Sequence, residues 1–127
     1  MNAYAAMKQY QTVNVNAQVS EADPHRLIQM LMEGALQRIA QARGALQHGN
    51  VALKGEQIGK ATAIVGGLRD ALNVDQGGEL AANLDRLYAF MQQRLWVGIR
   101  KYDAAMLDEV SELLREIKAG WDGIRQA

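Results

Sequence analysis

The chain has 127 residues, a length suited to one domain, and nearly half of them are apolar while aromatics are scarce and proline occurs once. That balance favours helices packed by Leu, Ile, Met and Ala over sheets. Fourteen basic residues cancel fourteen acidic ones and there is no cysteine. No positive field exists to gather nucleic acid, and a thiolate nucleophile, a disulfide framework and a Cys-ligated zinc are all excluded. Met1–Ser20 never gather the apolar block of a signal peptide, and no later stretch is apolar for a membrane-spanning length. The expectation is a cytoplasmic protein, neither exported by a classical signal nor inserted in a membrane.

Residues 1–22 open with Tyr4, Met7, Tyr10 and Val13 on one helical face. Val13, Val15, Ala17 and Val19 then alternate with polar residues. This reads as a short helix followed by an extended strap. A helix of about ten residues is marginal in water because nucleation is costly, so the segment should persist only by docking its Met and Tyr face on the rest of the chain.

Residues 23–125 repeat one pattern four times, with apolar residues stepping by three and four. The first helix is expected from Pro24 to His48, with Asp23 as N-cap, Gly49 just past the end, and a core stripe of Ile28, Leu31, Ala35, Ile39, Ala42 and Leu46. The second runs from near Asn50 to about Asn73 and buries Ile58, Ala61, Val65, Leu68 and Leu72. Asp75-Gln76-Gly77-Gly78 breaks the chain. The third opens at Glu79 and carries Leu80, Leu84, Leu87, Met91, Leu95 and Ile99. After the Asp103 cap the fourth buries Leu107, Val110, Leu114, Ile117, Trp121 and Ile124. Short connections make sequential helices antiparallel, so the expected fold is all-α: one domain, an antiparallel up-down four-helix bundle with an extra N-terminal helix and strap.

Catalytic chemistry finds no footing. Di-iron bundles use Glu-x-x-His pairs, but Ala22 and Ala45 stand three residues before His25 and His48. Ser20 and Ser111 lie in no nucleophile elbow, no phosphate-cradling loop occurs, and the carboxylates sit at salt-bridge spacing. No cofactor, metal or small-molecule substrate is expected. A helical enzyme or metal carrier would need ligand spacing that is missing.

The third helix has more apolar surface than one seam requires. Leu87-Tyr88-Ala89-Phe90-Met91 and Leu95-Trp96-Val97-Gly98-Ile99 are apolar nearly all round. Phe90 and Val97 project together roughly 110 to 130° from the main seam. Either neighbouring helices and the strap cover this surface, or it is a groove for a partner helix with Met30, Met32 and Met91 as adaptable contacts. In the second helix Gly55, Gly59, Thr62 and Gly66 line one side. Close approach of a partner backbone, tight packing within the bundle and a plastic, marginal bundle all fit that line.

A set of short matches, each weak alone and specific in its order, resembles the FliS family of flagellar secretion chaperones over nearly the whole chain. It comprises Tyr10 with a following Val, Asp23-Pro24-His25-Arg26-Leu27-Ile28-Gln29-Met30-Leu31 before Glu33-Gly34-Ala35, and Lys60-Ala61 with Ile64. It continues with Gly77-Gly78-Glu79-Leu80-Ala81-Ala82-Asn83-Leu84, Leu87-Tyr88 with Phe90-Met91, and Glu109-Val110 with Leu113-Leu114 before Trp121. Departures are Asp23 for the more usual Ser, Met32 for an aromatic, and Ala89-Phe90 for Asp-Tyr. The resemblance implies a cytoplasmic, non-enzymatic chaperone. Such a chaperone binds the disordered C-terminal segment of flagellin, prevents premature filament assembly and helps deliver the subunit to the flagellar export gate. A generic helical adaptor and the chaperone of the filament-cap protein are the rival readings.

On that basis the groove is expected to be lined by Ile64, Leu68 and Leu72 with Tyr88, Phe90, Leu95 and Val97. Met30 stands at an edge and Asn83 meets partner backbone groups. The Met7 and Tyr10 face is expected to compete for, or contribute to, the same surface.

Overall fold

Each helix begins at a side chain that can accept an orphan backbone N–H. In the computed structural model, which describes residues 23–101 and 103–124, the Asp23 carboxylate accepts the Arg26 N–H at 2.8 Å and Pro24 opens helix α1, Pro24–Gln47. Asn50 accepts from Leu53 at 3.1 Å to start α2, Val51–Asp70. Asn73 accepts from Gln76 at 3.2 Å to start α3, Val74–Arg100, and Asp103 accepts from Ala105 at 2.9 Å to start α4, Ala104–Asp122. Gly49, at φ +70°, takes the left-handed position that ends α1.

The first turn of α3 is set off from the rest by a kink. Gly78 has φ 59° and ψ −136°, a region that side chains oppose. A Cβ on Gly77 would stand 2.6 Å from that of Ala81. Both glycines are needed, and the continuous helix starts at Glu79, the residue at which the sequence placed it.

Polar pairs record the antiparallel order. Arg38 bonds Gln57 across α1 and α2, Arg69 pairs with Asp85 across α2 and α3, and Arg94 pairs with Glu109 across α3 and α4. Arg43 with Asp108, and His25 with Trp121, close the ring between α1 and α4. Helix α4 packs on its neighbours more sparsely than α2 packs on α1, and polar clasps hold its two ends. At one end His25 Nε2 donates to the Trp121 carbonyl at 2.7 Å, Trp121 Nε1 donates to the His25 carbonyl at 2.9 Å, and the two rings stack with centroids 4.8 Å apart. Gln29 and Lys118 both donate to Asp122 beside them, at 2.7 Å each. Those two bonds, that of Lys118 foremost, hold the Asp122 carboxyl below its ordinary pKa.

The core follows the expected stripes of α1 and α2 except at Leu46, which is only half-buried, and adds Met32 and Ile64. Lys54, 1% exposed, sends its Nζ to the Lys101 carbonyl at 3.2 Å. No described helix is long and apolar enough to cross a membrane.

Gly55 and Gly59 correct one reading. A Cβ at either would meet nothing within 4 Å, so described neighbours do not press on α2 there. Gly59→Ala is therefore expected to stabilise the fold by roughly 0.5–1 kcal/mol. Gly78→Ala should destabilise it by about 1–3 kcal/mol, and urea unfolding of the two variants reads both signs.

Candidate functional site

Helix α3 carries parallel heptad rows, and burial separates them. The rows Ala81-Tyr88-Leu95 and Leu84-Met91-Gly98 face inward, with Tyr88, Met91 and Leu95 in the core. Two expected core residues, Leu80 and Leu87, belong to a third row that ends at Arg94, and they are 70% and 37% exposed. That row runs along the α4 edge of the helix. Phe90, 39% exposed, lies beside it, with its ring 5.4 Å from the Arg94 guanidinium.

The ion pair of Arg94 with Glu109, 3.0 Å, fixes the register of α3 against α4. Counting back from Arg94 reaches Phe90, Leu87 and Leu80, and counting forward from Glu109 reaches Leu113, Glu116 and Gly120. Leu84, Leu113 and Ile117, partly buried against the core, make the floor between these edges. Gly120 leaves the α4 wall low, since a Cβ there would meet nothing within 4 Å. This register predicts a shallow apolar groove about 15 Å long from Leu80 to Phe90, ending at the ion pair. Ile124, also exposed, lies past its other end.

On the opposite edge of α3 the exposed Trp96 stands with the Arg100 guanidinium 5.5 Å from its ring. Gln92, one turn earlier, donates to the Thr62 carbonyl of α2 at 3.4 Å. Trp96 therefore comes level with the bare backbone around Gly59.

The residues named from the sequence divide. Phe90 and Asn83 reach the surface, Asn83 accepting a hydrogen bond from Arg86, and Val97 is half-buried. Leu68, Tyr88 and Leu95 are core residues, Ile64 and Met30 are buried, and Leu72 packs partly buried against the core. In this state of the bundle these six are turned to their own neighbours and offer little to a partner. The physical reason is that α3 is rotated so that Tyr88, and not Leu87, points at α2 and α1. Ile124, expected in the core, is exposed. Met7 and Tyr10 lie outside the described residues. Leu80 and Leu87, expected in the core, are surface residues, and the Arg94 that continues their row was the signal for it; Trp96, part of the surplus apolar surface of this helix, was not in the expected lining.

Burial pushes the Tyr88 phenol up to about 12. The unfolded chain would release that proton from about pH 10, so the folded form binds more protons between pH 10 and 12. Stability falls across that window by roughly 2–3 kcal/mol. Tyr88→Phe is expected to remove this fall in denaturation curves recorded against pH.

Nothing in the groove resembles acid–base machinery. Hydrogen bonds from Arg69 and Arg43 hold the Asp85 and Asp108 carboxyls below their ordinary values, as expected of structural ion pairs. Among the described residues no three His, Asp or Glu gather as metal ligands. The fold defines an all-α four-helix bundle that leaves Leu80, Leu87 and Phe90 exposed along one edge of α3. Residues 6–127 match the family described as flagellar protein FliS. The chain is 59% identical to the flagellar secretion chaperone FliSB of Pseudomonas aeruginosa over 124 residues, 98% of each chain. It is 45% identical to FliS of Vibrio cholerae over 119 residues, 94% of this chain and 88% of the relative. It is 39% identical to FliS of Salmonella typhimurium over 125 residues, 98% and 93% of the two chains. The chain belongs to the FliS family of flagellar secretion chaperones, which are not enzymes.

Proposed function

We propose that this chain is a cytoplasmic export chaperone. It holds the disordered C-terminal segment of flagellin, keeps the subunit from polymerising early and carries it to the flagellar export gate. One observation carries the reading. A chain of this family keeps Leu80, Leu87 and Phe90 exposed along one edge of α3, above a floor already packed on the core. A flagellin segment that is helical only when its apolar face is buried gains that burial in the groove. Coupled folding of this kind buries roughly 1,000–3,000 Å² and spends about 2–5 kcal/mol on ordering. The partner should therefore wrap beyond one groove, with Trp96 as a second contact.

The test is co-purification of the full chain with flagellin, with flagellin lacking its C-terminal segment, and with the filament-cap protein. Capture of intact flagellin alone supports the reading. Capture of the truncated form, or of the cap protein in preference, contradicts it.

A further inference from the structure

The groove has a charged side. Helix α4 carries five carboxylates, Asp108, Glu109, Glu112, Glu116 and Asp122. Asp108 pairs with Arg43, Glu109 with Arg94 and Asp122 with Lys118. Among the described residues Glu112 and Glu116 enter no ion pair, and both are exposed. Glu116 stands two turns beyond Glu109, on the α3-facing edge of α4, and Glu112 is the next residue outward along it. Two carboxylates outside any ion pair among the described residues therefore border the wall that faces Leu87 and Phe90, while the nearby Arg115 acts on Asp108 towards the α1 side. The α3 wall instead carries Arg86, which is held by Asn83 and in no ion pair among the described residues, and the already paired Arg94.

Resting on the proposed flagellin-binding reading, we propose that the α3/α4 groove selects an amphipathic helix of about three turns. Its apolar stripe is flanked on the α4 side by Lys or Arg, which meet Glu112 and Glu116. The apolar stripe supplies affinity, and the charges fix which way round the helix lies. A helix with acidic residues on that flank faces like charge along the wall.

The probes are two synthetic amphipathic helical peptides with the same leucine face, one flanked by Lys and one by Glu. Their binding to the full chain is measured by fluorescence anisotropy at low and high salt, with a flagellin C-terminal segment in parallel. The expected result is a preference of about fivefold or more for the Lys peptide at low salt, which shrinks at high salt. The preference should invert in the double variant Glu112→Lys, Glu116→Lys. Equal binding of both peptides, abolished in both cases by Leu87→Asp, would overturn the charge selection and leave the groove intact. Binding of the flagellin segment that ignores Leu87→Asp would overturn the groove itself. Self-association in sedimentation velocity that Leu87→Asp prevents would assign the groove to a second copy of the chain and overturn the proposal.

Discussion

Changing Leu87 and Phe90 together to Asp is expected to weaken binding of a flagellin C-terminal segment by at least about 100-fold in a chaperone that still folds. Full burial of a large apolar side chain is worth roughly 1.5–3 kcal/mol. The free bundle has realised only part of that at these two positions, since each keeps more than a third of its surface exposed. Asp adds the cost of burying a carboxylate under the partner. The exposed third or so of each side chain is worth about 0.5–1 kcal/mol, and with about 1 kcal/mol or more for the buried carboxylate at each position the two changes together exceed a factor of about 100. Both side chains are more than half buried in the free bundle and the Phe90 ring lies under the Arg94 guanidinium, so the melting temperature should also fall by some degrees, and the calorimetric titration is run well below it. A titration with unaltered affinity would remove this edge of α3 from the site.

The largest effect on stability is expected at Trp121. Truncation to Ala removes the stack on His25 and the indole N–H bond to the His25 carbonyl. It also leaves a void beside the partly buried floor. For a large aromatic in a packed site the cost is about 3 kcal/mol, or roughly 10–20 °C in melting temperature for a domain of this size. Trp96→Ala is the control: that residue is 57% exposed, with the Arg100 guanidinium 5.5 Å from its ring, so its removal should leave the melting temperature within a few degrees. Equal shifts for the two tryptophans would show that the clasp contributes nothing.

Helix number, order and caps were legible because each start signal acts within one turn. Asp23 and Asp103 need no knowledge of the tertiary fold to accept their N–H groups, whereas Asn73, expected at the end of the second helix, caps the third. The same local logic placed Gly49 and Gly78, the two glycines of positive φ. Rotation of α3 about its axis was not legible in this way, because Leu80-Leu87 and Ala81-Tyr88 are rows one residue apart and both are mainly apolar. Large side chains drew the core stripe to the leucines, whereas packing against α1 and α2 selected the row with Ala81 at its narrow end and Tyr88 at its centre. The large exposed leucines consequently lie on the α4 side of α3, and Phe90 is the one large apolar residue of the expected lining, among the described residues, that reaches the surface.

Tyr88 shows why that difference matters experimentally. As a groove residue it would be a natural target for truncation. As a core residue at 3% exposure it would cost about 3–5 kcal/mol on truncation, and lost binding would report unfolding instead of a lost contact. Leu87 and Phe90, each more than a third exposed, reduce that confusion.

The most direct measurement is backbone hydrogen exchange of the full chain, alone and saturated with a flagellin C-terminal segment. If the partner lies between α3 and α4, protection should rise along residues 80–97 and 106–120, with little change in the stretch of α1 from Leu36 to Gln47. Protection gained chiefly on α1, with the α3 and α4 edges exchanging as in the free protein, would contradict it.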